Sequence, residues 1–386
     1  MHKTKDNLKI TFLLAYAPNP RMRKRINVAL DVTDKVSLIQ WDKQQDKMEN
    51  YTNPAVDIHI IELKAAEKPI QRIPQYLKFS KKARKSLEAL KPNIIHLQGL
   101  DMLKIAVDYK KNFDEKVKIV YEVADVHRYL TTESKNIIKQ GIKRTLINIE
   151  ENCSDYVDKL IITSPKYYEL YFHKFYSKEE TLVFENYPDL SVFKGFQARN
   201  FYKEPLNVSY IGGIRYKEQI RILLDVAKEL PITVELAGYE DGEPEIENQA
   251  KTMSNVKWHG KYDYKQDIKS LYEDADIVFS VYDADLYNVR IALPNKYYES
   301  IYCQKPIIVA KNTYLEERVS NLNVGLAVDC HSKAELKQAL LFLMDKDNYQ
   351  EITHNCLEAK TKIKDGNYKK DLGQLYLDLS HHYFTD

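Results

Sequence analysis

Four stretches hold residue types and spacings that can do chemistry. In ALPNKYYESIYCQKPIIVA (292–310), Pro294 suits the first turn of a helix. Lys296 and Glu299 then lie three apart, on one helix face. The unpaired N–H groups at Asn295 and Lys296, with the lysine charge, favour an anion such as a phosphate. A carboxylate one turn further on suits the hydroxyls of a ribose. The plain alternative is a local Lys–Glu pair. In VSYIGGIRYKEQIRIL (208–223), Gly212 and Gly213 permit close backbone approach, and Arg215 and Lys217 can meet phosphate oxygens. In YEVADVHRY (121–129), Asp125 and His127 alternate at a strand end and so point the same way. Either can take a proton from a hydroxyl. In APNPRMRKRINVAL (17–30), Arg21, Arg23, Lys24 and Arg25 crowd a predicted helix start. Basic side chains are unfavourable there, which points to an anionic partner.

The elements that must position these residues form two series. KITFLLAY, KVSLIQW, VDIHIIEL, NIIHLQ, KIVYEVA, KLIITS and TLVFEN are apolar runs of strand length. After about residue 200 the rhythm restarts with LNVSYIGG, ITVELAGY, NVKWHG, DIVFSVY, KPIIVA and VGLAVD. Continuous Val/Ile-rich strands alternating with helical segments indicate parallel sheets covered on both faces. One such helix is EQIRILLDVAKEL (218–230), with Ile222, Leu223, Val226, Ala227 and Leu230 on one face. Two series in one chain predict two doubly wound domains, with ligands at the carboxyl ends of the strands. The break falls in NYPDLSVFKGFQARNFYKEP (186–205), which has two prolines and no clear periodicity.

The bulk numbers agree with that organisation. A chain of 386 residues with 44% hydrophobic and 30% charged residues has a soluble globular profile. No apolar run reaches the roughly 18 residues of a membrane span. The short run near the N-terminus reads as a strand rather than a leader. Four cysteines with no CxxC spacing argue against structural zinc and fit a reducing compartment. The net charge of +2 conceals an asymmetry: residues 1–185 carry 33 basic and 25 acidic side chains, residues 186–386 carry 25 and 31. The basic excess is concentrated in RMRKR, KFSKKARKSLEALK (78–91) and KQGIKR (139–144). It suggests phosphates or an anionic surface, with a solvated lysine face as the alternative. No aromatic-basic motif points to nucleic acid.

In this order and spacing the stretches resemble the nucleotide-sugar glycosyltransferases of GT-B fold, family 4 above all, over most of the chain. PNIIHLQGLDML (92–103), YEVADVHRY, KLIITSPKYYELY (159–171), VFENYPD (183–189), NVKWHGKYDYKQDIKSLYEDADIVFSVY (255–282) and LPNKYYESIYCQKPIIV (293–309) carry the resemblance. It implies that Gly213, Arg215 and Lys217 serve the donor diphosphate, with backbone contacts from Asn295 and Lys296 and the ribose on Glu299. It implies that His259, Gly260, Lys261 and Tyr262 hold the base through main-chain hydrogen bonds. Asp125 or His127 would face the sugar and the acceptor. One position departs from the family. Many members carry a second glutamate eight residues before the ribose carboxylate, and here that place holds Ile291. The donor sugar and the stereochemical course therefore stay open.

The expectation is an α/β protein with two doubly wound Rossmann-like domains facing a cleft. An acceptor domain spans 1–185, a linker 186–205, a donor domain 206–366 and a returning C-terminal helix 367–386. The activity expected is transfer of a hexose from a nucleotide diphosphate, UDP-linked, to a saccharide acceptor, soluble or lipid-pyrophosphate-linked, in surface polysaccharide or glycoconjugate assembly. Arg21, Arg23, Lys24 and Arg25 would bind that acceptor or an anionic membrane at the inner face of the cell. No cofactor and no metal are expected. The Asp283-x-Asp285 pair underspecifies a metal site by itself, and adjacent His381 and His382 face different ways on a helix. His96 is expected to pack at a strand end. A nucleotide-sugar epimerase of the same fold and a non-catalytic partner subunit are the alternatives.

Overall fold

The computed structural model describes residues 7–43, 51–66, 70–126, 130, 136–198, 204–363 and 368–385. Backbone contacts divide the chain into two compact units, Met1–Glu185 with Gly366–Asp386, and Asn186–Asp365.

In the first unit seven strands form one sheet: β1 Lys9–Leu14, β2 Lys35–Asp42, β3 Val56–Glu62, β4 Ile94–Gln98, β5 Lys118–Val123, β6 Lys159–Ile162 and β7 Thr181–Val183. Their order is β3-β2-β1-β4-β5-β6-β7, and every pairing is parallel. In the second unit β8 Asn207–Ile211, β9 Thr233–Ala237, β10 Val256–Gly260, β11 Ile277–Ser280, β12 Ile307–Ala310 and β13 Gly325–Val328 are ordered β10-β9-β8-β11-β12-β13, again all parallel. Each apolar run singled out in the sequence is a strand, because strands covered on both faces need no polar alternation. The strand order reverses between β1 and β4 and between β8 and β11, where doubly wound sheets open a crevice.

Each unit has its own core. Phe12, Ile26, Leu38 and Ile94 are fully buried in the first, and Tyr210, Leu236, Phe279 and Ile308 lie in the second. The helix Tyr368–Thr385 packs on the helix Pro20–Val32 of the first unit, placing Leu372 and Tyr376 in that core. The stretch 186–198 belongs to the second unit, where Phe193 is fully buried. The helix predicted over 218–230 spans Lys217–Ala227, and Ile220 and Leu224 join its buried face.

One buried carboxyl makes the first unit sensitive to pH. Glu150, on the helix Ile137–Ser154, accepts the Tyr176 hydroxyl at 2.7 Å. Burial pushes its pKa up to about 7, against smaller opposing hydrogen bonds from Tyr176 and Tyr121. The native state therefore holds a proton that the unfolded chain releases near its ordinary pKa of 4.5. Stability should fall as pH rises from about 4.5 to about 7, by on the order of 3 kcal/mol in total. Glu150→Gln should flatten that slope and melt above the parent at pH 8. Parallel melting curves for the two proteins from pH 5 to 8 would show that Glu150 is not the source.

Candidate functional site

The residues of the second unit converge on the turn after β8. The Tyr210 hydroxyl donates to the Gly213 carbonyl at 2.7 Å, and the Gly212 and Ile214 N–H groups donate to Ala237 and Tyr239. A Cβ at Gly238 would lie 1.8 Å from the Gly212 carbonyl oxygen, so only glycine lets the turns after β8 and β9 approach this closely. Gly212 itself has φ +143°, and a Cβ there would meet the Lys296 ammonium at 2.7 Å. The lysine head is therefore tucked directly beneath the turn.

Lys296 reaches that place from the first turn of the helix Asn295–Tyr302, which Pro294 opens. Its Nζ lies 6.0 Å from the ring centres of both Tyr210 and Tyr282. Burial by itself would lower its pKa. Tyr282, Glu299 and Tyr262 more than offset this and hold the ammonium charged. Tyr282 stacks in turn on Tyr216, ring centres 4.6 Å apart. Helix geometry leaves the Asn295 and Lys296 N–H groups without intrahelical acceptors. The Asn295 side chain is anchored by Asn186, whose Nδ2 donates to its Oδ1 at 3.1 Å. Arg215 is exposed on the rim beside Gly213.

Two of the expected donor residues also have protein partners of their own. The Lys217 ammonium pairs with Glu240 at 2.8 Å and donates to the Glu243 carbonyl at 2.9 Å. Glu240 also accepts the Ile246 and Glu247 N–H groups, so Lys217 ties the turn after β9 to its own helix. Glu299 is not an open carboxylate. It is only 3% exposed, and its two oxygens accept the hydroxyls of Tyr264 at 2.7 Å and Tyr272 at 2.9 Å. Burial and that carboxylate raise both phenol pKa values, so both remain donors. Each carboxylate oxygen keeps a second acceptor site.

The segment expected to hold the base leaves β10. His259 is exposed, 3.6 Å from Glu235. Gly260 has φ +75°, and its carbonyl accepts the Gly238 N–H at 2.8 Å. Lys261 is exposed and Tyr262 half-buried.

In the first unit, the Thr163 and Tyr167 hydroxyls both donate to the Ala124 carbonyl, at 3.2 and 3.1 Å. Asp125 is exposed immediately after that pinned residue, and His127 lies outside the described residues. The basic run 21–25 is not one exposed anion surface. Arg25 is 2% exposed, its Nε 3.1 Å from Glu122 Oε2 and its guanidinium over the rings of Phe184 and Tyr368. Arg21 Nε lies 3.0 Å from Glu122 Oε1. Arg23 donates to the Pro18 carbonyl and covers the Tyr51 ring, and Lys24 is half-buried. The anion beside Arg21 and Arg25 at this helix start is Glu122 of β5.

Glu122 is the residue that sequence reasoning passed over. Its signal was a lone acidic residue in KIVYEV, an otherwise apolar strand with one terminal lysine. Burial alone would raise its pKa, but Arg25, a hydrogen bond from His96 and Arg21 hold the carboxyl far below the usual range. His96 is fully buried and kept neutral by desolvation. Its Nε2 lies 3.2 Å from Glu122, and its Nδ1 accepts the Tyr376 hydroxyl at 2.7 Å.

Comparison with known proteins fits this geometry. Residues 193–362 match the family described as Glycosyl transferases group 1. No curated protein sequence gives a significant match. The chain is similar in structure to sucrose-phosphate synthase from Thermosynechococcus elongatus, with a TM-score of 0.72 at 16% identity, covering 96% of this chain and 99% of that one. It is similar to Anabaena HepE in complex with UDP, with a TM-score of 0.67 at 16% identity and the same coverages. WaaG, a glycosyltransferase involved in lipopolysaccharide biosynthesis, gives 0.66 at 14% identity over 95% of this chain and 99% of that one. Residues 193–362 thus match a group 1 glycosyltransferase domain, and the likeness of the solved structures over the chain shows the GT-B fold of two Rossmann-like domains.

Proposed function

We propose that the protein moves a sugar from a UDP-linked donor to a saccharide acceptor in surface polysaccharide or glycoconjugate assembly. The observation that carries this reading is Lys296, a charged ammonium under the Gly212 turn at the start of a helix. Anabaena HepE, of the same fold, has been solved with UDP and with UDP-glucose.

In the reaction, an acceptor hydroxyl oxygen bonds to the sugar C1 while the bond from C1 to the diphosphate oxygen breaks. Lys296, Arg215 and the first-turn N–H groups take up the charge that develops on the leaving diphosphate. Magnesium or manganese has no necessary part in that step. Asp125 is proposed to receive the acceptor proton. Lys217 acts at one remove, through Glu240.

Glu299 is proposed to accept a ribose hydroxyl while it holds Tyr264 and Tyr272. Glu299→Gln keeps a polar group for the tyrosines, yet should weaken UDP binding by roughly 1.5–3 kcal/mol, the scale of hydrogen bonds to a charged group. Calorimetry that gives parent affinity in this variant would limit Glu299 to its tyrosines.

Contact with an anionic acceptor or headgroup is assigned to the helix Ile73–Leu90, where Lys78, Lys81, Lys82 and Lys85 are exposed beside Leu77. Salt-sensitive binding to anionic vesicles, lost on charge reversal there, tests that assignment. No helix among the described residues is long and apolar enough to cross a membrane.

The general test is a panel of nucleotide diphosphates and their sugars, with and without magnesium, scored by thermal stabilisation. A ligand at 100 times its Kd should add about 2.7 kcal/mol. UDP compounds should stabilise without the metal, and a panel with no stabilising nucleotide would end the proposal. Ile291 is 2% exposed and offers a donor sugar no carboxylate, which favours a non-catalytic partner subunit as second reading. Nucleotide binding without turnover of any donor would identify it.

A further inference from the structure

Beside the carboxyl ends of β11 and β13, three side chains of different chemistry converge. A carboxylate oxygen of Asp283, the sulfur of Cys330 and a ring nitrogen of His331 lie within 4.8 Å of one another. Two more carboxylates close on the imidazole. Asp285 Oδ2 is 3.3 Å from Nε2, and Glu218 Oε1 is 3.0 Å from Nδ1. Cys330 is 7% exposed.

Both loops are held in shape by their own hydrogen bonds. Asp283 Oδ1 accepts the Asp285 N–H at 2.9 Å, and Asp329 Oδ1 accepts the His331 N–H at 2.8 Å. Ser332 caps the helix Lys333–Met344, and Glu335 of its first turn accepts the Asp329 N–H at 2.8 Å. Lys311 is paired with that Glu335, and Lys333 with Glu229. Three carboxylates thus face one imidazole, and even a protonated His331 leaves the group negative. A bound cation is the chemical complement of that charge.

We propose that Asp283, Asp285, Cys330 and His331 bind one divalent transition-metal ion of the zinc type. A thiolate, an imidazole nitrogen and carboxylate oxygens suit zinc or cobalt, whereas magnesium and calcium prefer oxygen alone. Nε2, 3.3 Å from Asp285 Oδ2, takes the ion. Nδ1–H stays on Glu218, the outer carboxylate that commonly orients a ligating histidine. Binding replaces the thiol proton of Cys330, which leaves to solvent. The ion would join the loop after β11 to the loop after β13, two strands away in the sheet. Tyr282, next to Asp283, contacts Lys296, so the ion steadies one wall of the candidate donor site without touching the reacting atoms. An Asp-x-Asp pair alone underspecified this site, and the other two ligands come from a turn far along the chain.

The test uses the metal-stripped full chain. Zinc is titrated against a chromophoric chelator, and cobalt is then substituted to read its thiolate charge-transfer absorption. One ion per chain with a cobalt–thiolate band is expected. Cys330→Ser should abolish the band, and His331→Gln should weaken zinc by at least about 100-fold. Glu218→Gln should weaken it by about 10–100-fold, the range for outer partners. His331 is exposed, so its variant should melt like the parent. No zinc binding, or stoichiometric binding unchanged in both Cys330→Ser and His331→Gln, would overturn the proposal.

Discussion

Replacing Glu122 by leucine is expected to destabilise the first unit by about 3–5 kcal/mol. The substitution removes the only carboxylate in contact with the buried Arg25 among the described residues, and it also takes Glu122 from Arg21 and leaves His96 with Tyr376 alone of its two hydrogen-bond partners. An uncompensated guanidinium in that core has no water to turn to, and its rings, Phe184 and Tyr368, replace little of the lost charge. Against a typical total of 5–15 kcal/mol the loss is large. The double substitution Glu122→Leu with Arg25→Met should recover part of it, because apolar replacements of a buried pair are often neutral. Chemical denaturation of the three proteins measures both effects. A single-variant loss below about 1 kcal/mol would mean that the network is far better solvated than its burial indicates.

The second large effect falls on catalysis. Lys296→Ala should lower kcat by about 10²–10³, the usual result of removing one preorganised donor to a developing oxyanion. Folding should be little affected, since the ammonium is a half-buried guest of the Gly212 turn. Lys296→Arg should not rescue, because a guanidinium is broader than the space in which the ammonium lies 2.7 Å from a position where Gly212 has no side chain. A variant that raises KM alone would place Lys296 in ground-state binding only.

The fold was legible because its cause is local. Val/Ile-rich runs such as IIVA (307–310) are buried along their whole length, and a doubly wound sheet needs nothing else from them. The turn after β8 and the helix start at Pro294 were legible for the same reason, since glycines and a proline mark them. What stayed hidden depends on distant partners. Arg25 meets Glu122 across 97 residues, and His96 meets Tyr376 across 280. Lys217 looked available for phosphate because Glu240 lies on the next loop rather than in the motif. Glu299 looked open because Tyr264 and Tyr272 reach it from another helix. Charge type is written locally, whereas charge partners are set by the packing of separate elements.

The central claim is that the β8 turn and the Asn295–Tyr302 helix hold a nucleoside diphosphate. Calorimetric titration of the parent, Arg215→Ala and Lys296→Ala with UDP, UMP and uridine tests it most directly. The parent should bind UDP more tightly than UMP, and UMP more tightly than uridine, with the advantage of the second phosphate largely lost in both variants. Equal binding of UDP and uridine by the parent, or an undiminished preference for UDP in both variants, would contradict the account.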